Sequence, residues 1–483
     1  MTVARVHVGF GRASLWGTWR TDRPLADEID VCAMVAGAPG EWAALAVADV
    51  CGMWPSTCLR LRQAVAEELQ TDVRRVGIFC TQNHGAPMEG PGVYDAARWL
   101  TAFRSAASAA RGAARPARMA GVDLTGLPPG VFCRRLPWGG LGSFTFWYGF
   151  RRTLDGRAAC GHQLELALRA LAGGLEHPVR HWPVEPAGWP APTLPLPPVP
   201  ADVRLGPAAD ALLQGVFFRT PAGEPIGALA RWAAHPVTAN AAGGPHSGDY
   251  PAHLRRGLRR GFGGGALFLT GPCGDQAPLV ETKSVSLAEQ TGAHLAGLLL
   301  RGLTSSAWRD LTRVCASTRA AALPLRQDYP SSVAEARRAI EDARVELRLA
   351  SSLAGRKHAA EEIERLGHTA GGSHYEWCGF RPEHAGAEVS HPLFALSVED
   401  RAIVGLPGEP FGSYSLQLRT SRAGPPPIVV EECNGYLSYI PGARDYAQGG
   451  YGSAAAILSP AAEGVLLRQA GDLLDEVEGR SGG

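Results

Sequence analysis

The sequence lacks the features that mark several large classes of protein. No apolar run in its 483 residues is long enough to cross a bilayer. Residues 1–12 have neither the basic and apolar regions nor the cleavage site of a secretory signal, so we expect a cytoplasmic protein. Lys and Arg number 47 against 46 Asp and Glu. This near balance leaves no positive field to hold a nucleic acid, and we expect no nucleic-acid partner.

The ten cysteines are scattered, and no two of them form a Cys-x-x-Cys pair. This absence excludes a zinc knuckle and a thioredoxin-type motif. In a reducing compartment we expect most cysteines to be small buried apolar residues. The sequence also has no internal repeat, which excludes a solenoid.

Short apolar runs alternate with helical stretches, which predicts an α/β fold. Residues 43–49 and 73–80 are typical of strands, and residues 56–70 between them have the period of an amphipathic helix. Residues 330–367 are rich in Ala, Arg, Glu and Leu and predict a helical hairpin insertion. We expect a large mixed-sheet domain with flanking helices.

The proline-rich residues 181–200 cannot form a regular helix or a central strand. We interpret them as an irregular connection that runs along the surface of one domain, with an interdomain linker as the alternative. The domain then spans residues 1–478, and residues 479–483 form a frayed tail.

Small and polar residues are concentrated in five segments, most of which directly follow a strand-like run. Such junctions are where α/β sheets bind ligands, because rigid strands direct several side chains to one point. The segments are residues 80–87 (CTQNHGAP), 232–236 (WAAHP), 247–251 (SGDYP), 271–278 (GPCGDQAP) and 405–409 (GLPGE). We therefore expect them to converge on one site.

Taken singly, these residues have structural explanations. A lone His84 or His235 after a strand is more often a hydrogen-bonded structural histidine. Asp249 and Asp275 beside glycines are typical turn formers, and Glu409 could serve the N-terminus of a helix. Taken together, histidines and a glutamate from separate loops meet the need of a zinc hydrolase for about three N or O ligands around an open position.

Several motifs occur in an order that matches a known family. They are GFGRA (residues 9–13), TQNHGAP (81–87), AHP (234–236), SGDYP (247–251), GDQAP (274–278), VGLPGE (404–409) and NGYLSY (434–439). With these motifs the chain resembles a divergent, bacterial-type member of the neutral/alkaline, non-lysosomal ceramidase family over nearly its full length. The resemblance implies the fold of the ceramidase catalytic domain and cleavage of an amide bond.

The resemblance also implies a metal site. In the family, zinc is held by two histidines, the glutamate of a Pro-Gly-Glu motif and the second tyrosine of a Tyr-x-x-Tyr motif. The matching positions here are Gln82, His235, Glu409 and Tyr439. Gln82 departs from the family, which has histidine there. Because a neutral amide is a weaker ligand than an imidazole, we expect weaker zinc binding or another metal unless His84 completes the site.

The resemblance assigns catalytic roles to His84, Arg134 and Tyr439. His84 and Arg134 would contact the substrate carbonyl and its developing oxyanion, with Arg135 as the alternative to Arg134. Ala277 stands where some ceramidases have a serine, which excludes a serine nucleophile at that position. We expect a zinc-dependent amidohydrolase of specialised metabolism, in which water activated by the metal cleaves a small N-acyl compound other than ceramide. Its oligomeric state stays open.

Three alternatives remain open. The same scaffold could transfer the acyl group to an amine instead of to water. Cys273 or Cys80 could be a nucleophile paired with His84, although inert buried thiols are the commoner case. A protein that has lost its metal could bind a ligand without catalysis.

Four aromatic residues could line a substrate pocket, although aromatic residues are more often part of a core. They are Trp138, Trp147, Tyr148 and Trp377.

Overall fold

The computed structural model describes residues 6–19, 21–86, 89, 94–125, 130–153, 158–176, 188–330, 332–370 and 388–479. The first sheet contains β1 (His7–Ser14), β2 (Asp30–Gly37), β3 (Ala43–Ala48), β4 (Val76–Cys80) and β5 (Arg115–Pro116). Its strand order is β4-β3-β2-β1-β5, and β3 and β4 run parallel. β2 and β3 are buried at every position, which requires that both faces of the sheet be covered.

Two helices cover one face of the first sheet, α1 (Pro55–Leu69) and α2 (Ala96–Gly112). Proline at the first position suits the start of α1, and Asp95 caps α2 by accepting two backbone N–H groups. α2 lies against β1 so closely that a Cβ atom at Gly9 or Gly11 would collide with backbone carbonyl oxygens of the helix. This contact gives the glycines of the GFGRA motif a packing role.

The second sheet contains β6 (Arg118–Leu124), β12 (Leu213–Arg219), β13 (Pro225–Trp232), β14 (Gly265–Thr270) and β16 (Arg309–Asp310). Its order is β14-β13-β12-β6-β16, and β13 and β14 run parallel. α4 (Asp249–Gly261) and α5 (Val285–Leu303) cover its outer face through Leu254, Leu258, Leu295 and Leu299.

The third sheet contains β17 (Val314–Pro324), β18 (Glu388–Val398), β19 (Arg401–Gly405) and β21 (Ile428–Val430). They lie in the order β17-β18-β19-β21, and β19 and β21 run parallel. α8 (Gly412–Thr420) and α11 (Ala462–Glu478) cover this sheet through Tyr414, Leu418, Leu466 and Leu473.

The inner face of the first sheet packs across both of the other sheets. Phe10 of β1 meets Phe218 of β12 with ring centroids 5.9 Å apart, and Phe79 of β4 meets Phe394 of β18 at 6.3 Å. These rings belong to one buried apolar cluster to which all three sheets contribute. Helices therefore form the outer layers and sheets the inner ones, and the predicted α/β fold class is confirmed.

Smaller elements complete the described chain. Four two-stranded ladders pair β7 (Val131–Cys133) with β15 (Gln276–Pro278), β8 (Arg135–Pro137) with β9 (Ser143–Thr145), β10 (Arg151–Arg152) with β11 (Ala158–Ala159), and β20 (Glu409–Pro410) with β22 (Tyr439–Ile440). The further helices are α3 (Gly161–Ala172), α6 (Val333–Leu349), α7 (Leu353–Ala370), α9 (Ala443–Tyr446) and α10 (Tyr451–Ala455), with 3-10 turns at Val73–Arg75 and Gly139–Leu141.

The segments singled out in the sequence are found as follows. α6 and α7 pack together through Ile340, Leu347, Ile363 and Leu366, which confirms the helical hairpin. Residues 188–200 contain neither helix nor strand, whereas residues 181–187 and the tail from residue 480 lie outside the described residues. Among the helices that the structure describes, none has the length and apolar character needed to cross a membrane.

A buried charge cluster joins the second sheet to the third. Arg231 of β13 donates through Nε to the carbonyl oxygen of Val429 in β21 at 2.9 Å. It also forms an ion pair with Asp210, which is shared with Arg419 of α8. Burial alone would raise the pKa of Asp210, but the charges of Arg231 and Arg419 lower it to about 2. The carboxylate is therefore ionised at any ordinary pH.

Asp210→Asn should lower the free energy of unfolding at neutral pH by about 3 kcal/mol, because it leaves two arginines without their buried counter-charge. The folded pKa of Asp210 lies below its ordinary value of 3.8. The stabilisation is thus present above about pH 4 and is lost as the pH falls toward 2. Urea titrations should show the gap between wild type and variant closing over that range, and a gap independent of pH would contradict the assignment. Asp72→Asn, in an exposed ion pair, is the matched control and should change stability little.

Candidate functional site

The site lies where three pairs of parallel strands end. The pairs are β3 with β4, β13 with β14, and β19 with β21. Hydrogen bonds join their ends: Thr270 Oγ1 donates to the carbonyl oxygen of Thr81 at 2.7 Å, and the N–H of Glu431 donates to the carbonyl oxygen of Thr270 at 2.9 Å. The loops after these strands carry Gln82 and His235, among others. Residues 80–86, 232–236, 271–278 and 405–409 of the predicted segments therefore meet at one edge.

His235 follows β13 and is fully buried. Its Nδ1 lies 2.8 Å from the carbonyl oxygen of Cys273. Since a carbonyl can only accept, Nδ1 carries the proton and Nε2 presents its lone pair. Nε2 lies 3.2 Å from Oε2 of Glu409 and 3.3 Å from Nη2 of Arg134. Burial first, and then the charge of Arg134, lower the pKa of His235 against the opposing effect of Glu409, so the imidazole is neutral.

Glu409 and Tyr439 are brought together by a parallel ladder in which they are direct partners. Oε1 of Glu409 accepts a hydrogen bond from the hydroxyl of Tyr436 at 3.1 Å. Oε2 faces His235 and has no hydrogen-bond donor among the described residues. Burial, reinforced by Glu409, raises the pKa of Tyr439 well above its usual range. The phenol is therefore neutral beside an incompletely satisfied carboxylate.

Arg134 lies between β7 and β8 and is fully buried. Its Nη2 donates to the carbonyl oxygen of Gly274 at 2.7 Å and to the hydroxyl of Tyr439 at 3.2 Å. Its Cζ lies 3.8 Å from the ring centroid of Trp147, which fixes the plane of the guanidinium. Nε and Nη1 have no acceptor in the part of the chain that the structure describes. Each of these two nitrogens thus has an N–H group that could bind a ligand oxygen atom.

The neighbouring Arg135 has a different environment. It forms an ion pair with Asp445, and its Cζ lies 4.9 Å from the ring centroid of Phe411. Of the two arginines that the sequence left as alternatives, Arg134 is the one that contacts Tyr439 and His235.

Gln82 and His84 occupy different positions in the loop after β4. The amide oxygen of Gln82 accepts a hydrogen bond from the thiol of Cys273 at 3.3 Å, and its Nε2 is buried without an acceptor among the described residues. His84 is partly exposed. Its ring stacks on that of His235 with centroids 5.6 Å apart, and Sγ of Cys51 lies 3.7 Å from both of its ring nitrogens.

Two buried carboxyl groups that the sequence analysis missed stand behind the site. Glu431 accepts hydrogen bonds from the backbone N–H of Cys273 at 2.8 Å and from its thiol at 2.9 Å. Glu432 accepts one from the thiol of Cys80 at 3.4 Å. Burial raises the pKa of both carboxyl groups well above the usual range, and the charge of Glu409 adds to it. The sequence signal that could have identified them is a pair of acidic residues directly after the apolar run IVV (residues 428–430).

The thiols of Cys273 and Cys80 have the buried surroundings that are typical of cysteines packed in a core. Cys273 and Cys80 are buried, and burial raises the pKa of each thiol well above its usual range, so neither is a thiolate at neutral pH. Cys273 Sγ lies 3.2 Å from Nδ1 of His235, and the sulfur 3.7 Å from the ring nitrogens of His84 is that of Cys51. The alternative in which Cys273 or Cys80 pairs with His84 stays a hypothesis.

The remaining candidate residues have structural roles. Asp249, in left-handed backbone with φ 53°, accepts the N–H groups of Ala239 and Tyr250. Asp275 accepts the N–H of Gly412 at 2.8 Å, so both aspartates fix loops. Trp147 and Tyr148 border a buried cluster with Tyr439, whereas Trp377 lies outside the described residues. No group of three or more His, Cys, Asp and Glu side chains within the described ranges is arranged to hold a metal.

Comparisons with known proteins bear on this geometry. No protein-family model and no curated protein matches the sequence. Among solved structures, a ceramidase complexed with C2 superposes with a TM-score of 0.62, covering 99% of this chain and 76% of its own, at 12% identity. The chain has a ceramidase-like fold. The neutral ceramidase from Pseudomonas aeruginosa gives a TM-score of 0.61 over 99% of this chain and 75% of its own, also at 12% identity. At that identity the likeness concerns the ceramidase fold, and membership of the family stays a prediction.

Iodoacetamide should fail to alkylate Cys273 and Cys80 in the native protein at pH 7.5, because each is a buried, protonated thiol. Peptide mapping by mass spectrometry before and after addition of guanidinium checks this, with the partly exposed Cys315 as the internal control that should react first. Rapid native alkylation of Cys273 with parallel loss of activity would instead restore the thiol-nucleophile alternative.

Proposed function

We propose that this protein hydrolyses the amide bond of a small N-acyl compound. The observation that carries the proposal is a set of unpaired donors on Arg134: its buried Nε and Nη1 have no acceptor among the described residues, while Nη2 is held against Tyr439 and His235. A buried donor without an acceptor is costly, so either nitrogen is suited to a ligand oxygen. The ceramidase-like fold supports amide cleavage as the reaction, since both superposed structures are ceramidases.

Arg134 would bind the carbonyl oxygen of the scissile amide through Nε or Nη1. As the carbonyl carbon becomes tetrahedral, negative charge develops on that oxygen and strengthens the hydrogen bond. Trp147 and the carbonyl oxygen of Gly274 hold the guanidinium in place beforehand. His84, partly exposed and stacked on His235, would donate to the same oxygen from the open side.

A metal ion fits the chemistry of the adjacent atoms. Nε2 of His235 and Oε2 of Glu409 are two acceptors facing each other at 3.2 Å, and Oε2 has no donor among the described residues. Facing lone pairs repel unless a cation is near both. His235, Glu409 and Tyr439 would hold zinc, and Gln82 or His84 would complete the set. When bound, the ion would polarise the carbonyl and lower the pKa of a water molecule.

The protein's own groups would control the protons. Neutral His235 keeps its proton on Nδ1, which donates to the carbonyl oxygen of Cys273, so that Nε2 stays an acceptor. As a proposed metal ligand, Tyr439 would contribute its oxygen, and the proton for the departing nitrogen would come from the attacking water. Burial around Glu431 excludes water from behind the site.

Arg134→Gln should lower kcat for an N-acyl amide about 100- to 1,000-fold, as expected for removal of an oxyanion donor. Arg135→Gln is the matched control at the neighbouring position, and it should retain most of the activity because Arg135 pairs with Asp445. Steady-state kinetics with circular dichroism of both variants test this. Equal losses in the two variants would refute the role of Arg134.

Purified, untagged wild type should carry near-stoichiometric zinc or another divalent metal by inductively coupled plasma mass spectrometry. His235→Ala and Glu409→Ala should both lose it, since each removes a proposed ligand. His253→Ala, at a buried histidine that pairs with Asp27 instead, should retain it. A wild type free of metal would contradict the metal part of the proposal and leave the oxyanion role of Arg134 standing.

A further inference from the structure

Lys283 is a partly buried cation that has no counter-ion among the described residues. The chain has two lysines among its 47 Lys and Arg residues, at positions 283 and 357. Lys357 is satisfied by the carbonyl oxygen of Ser143 at 3.0 Å and by Glu361. Within the described part of the chain, the ammonium of Lys283 has neither a hydrogen bond nor an ion pair, and its contact is the ring of Tyr148, whose centroid is 4.6 Å away.

Lys283 lies between two segments that carry site residues. On one side, the N–H of Gly149 donates to the carbonyl oxygen of Val280 at 2.9 Å, which holds residues 147–150 alongside the chain leading to Lys283. On the other side, the N–H of Ser284 donates to the carbonyl oxygen of Thr238 at 2.7 Å, in the loop that begins with His235. The lysine is thus fixed beside residues 147–150 and beside the loop that begins with His235.

The surroundings of Lys283 disfavour a charge that has no partner. Burial, together with the charge of Arg134, lowers the pKa of Lys283 to about 8, and Asp249 opposes the shift. Asp249 does not neutralise the ammonium directly, because its two oxygens are taken by Thr238, Ala239 and Tyr250. An ammonium held close to a site and left unpaired in this way is suited to an anionic ligand.

We propose that Lys283 binds a carboxylate of the substrate, which makes the substrate class acidic amides such as N-acyl amino acids. This inference rests on the proposed amide hydrolysis. Arg134, against the ring of Trp147, would take the neutral carbonyl oxygen, and Lys283, against the ring of Tyr148, would take the anionic group. Tyr148 and Tyr451 add aromatic surface beside Trp147, which suits a substrate with an apolar or aromatic portion.

Three amides that differ in the presence and position of a carboxylate test the proposal. N-pentanoyl-phenethylamine is neutral, N-pentanoyl-phenylalanine has a carboxylate on the amine side, and N-glutaryl-phenethylamine has one on the acyl side. The wild type should cleave one of the acidic amides with a kcat/KM about tenfold above that of the neutral amide. Lys283→Met should reduce this preference to near one through KM. Lys283→Arg, which keeps the charge, should restore most of it. An equal preference in wild type and Lys283→Met would overturn the proposal.

Binding measurements separate this inference from the proposed function. Calorimetric titration with the two acidic amides reports the carboxylate site even if none of the three amides is cleaved. About tenfold weaker binding to Lys283→Met would then support the anion site while the hydrolytic function fails. Equal binding to wild type and variant, or no binding of either acidic amide to the wild type, would overturn the role of Lys283.

Discussion

Arg134 places a positive charge in a region where Glu409, Glu431 and Glu432 are all buried. Three ionised carboxylates could not be buried beside one guanidinium without a large desolvation cost. Burial raises the pKa of Glu431 and Glu432, so these two keep their protons and accept hydrogen bonds from thiols. Glu409 is left to face His235. The imidazole is neutral because it is buried and lies beside Arg134, and its lone pair faces Glu409 because Nδ1 donates to the carbonyl oxygen of Cys273.

Most of the polar centre could be predicted from motifs. His235, Glu409 and Tyr439 are separated by long stretches of chain, yet the sequence grouped them, and the structure places them in contact with Arg134 or with one another. His235 closely follows the end of the buried strand β13, whereas its grouping with Glu409 and Tyr439 came from the resemblance to the family motifs. The choice between Arg134 and Arg135 could not be made, because adjacent residues of an extended chain point to opposite sides and the sequence does not show which side faces the site. The catalytic and ligand roles of all these site residues stay predictions.

Features that depend on contacts between distant parts of the chain could not be predicted from the sequence. The α/β class and the helical pair followed from periodicity, but the division into three sheets depends on pairings such as β6 with β12, which no local pattern specifies. Glu431 and Glu432 follow a three-residue strand, too short to show as a buried element. Gln82 was identified as a departure from the family. Its hydrogen bond with the thiol of Cys273 depends on two loops meeting, and the same is true of the contact of Lys283 with the ring of Tyr148.

In the proposed reaction, water cleaves an amide bond whose carbonyl oxygen is bound by Arg134. Incubating the protein with N-pentanoyl-phenylalanine and N-glutaryl-phenethylamine in water enriched in ¹⁸O, followed by mass spectrometry of the products, tests it most directly. The account predicts acid and amine in equal amounts, one ¹⁸O atom in each newly formed carboxylate, and no product from Arg134→Gln above background. Acyl groups recovered without label on an added amine, or product formation that does not depend on Arg134, would contradict it.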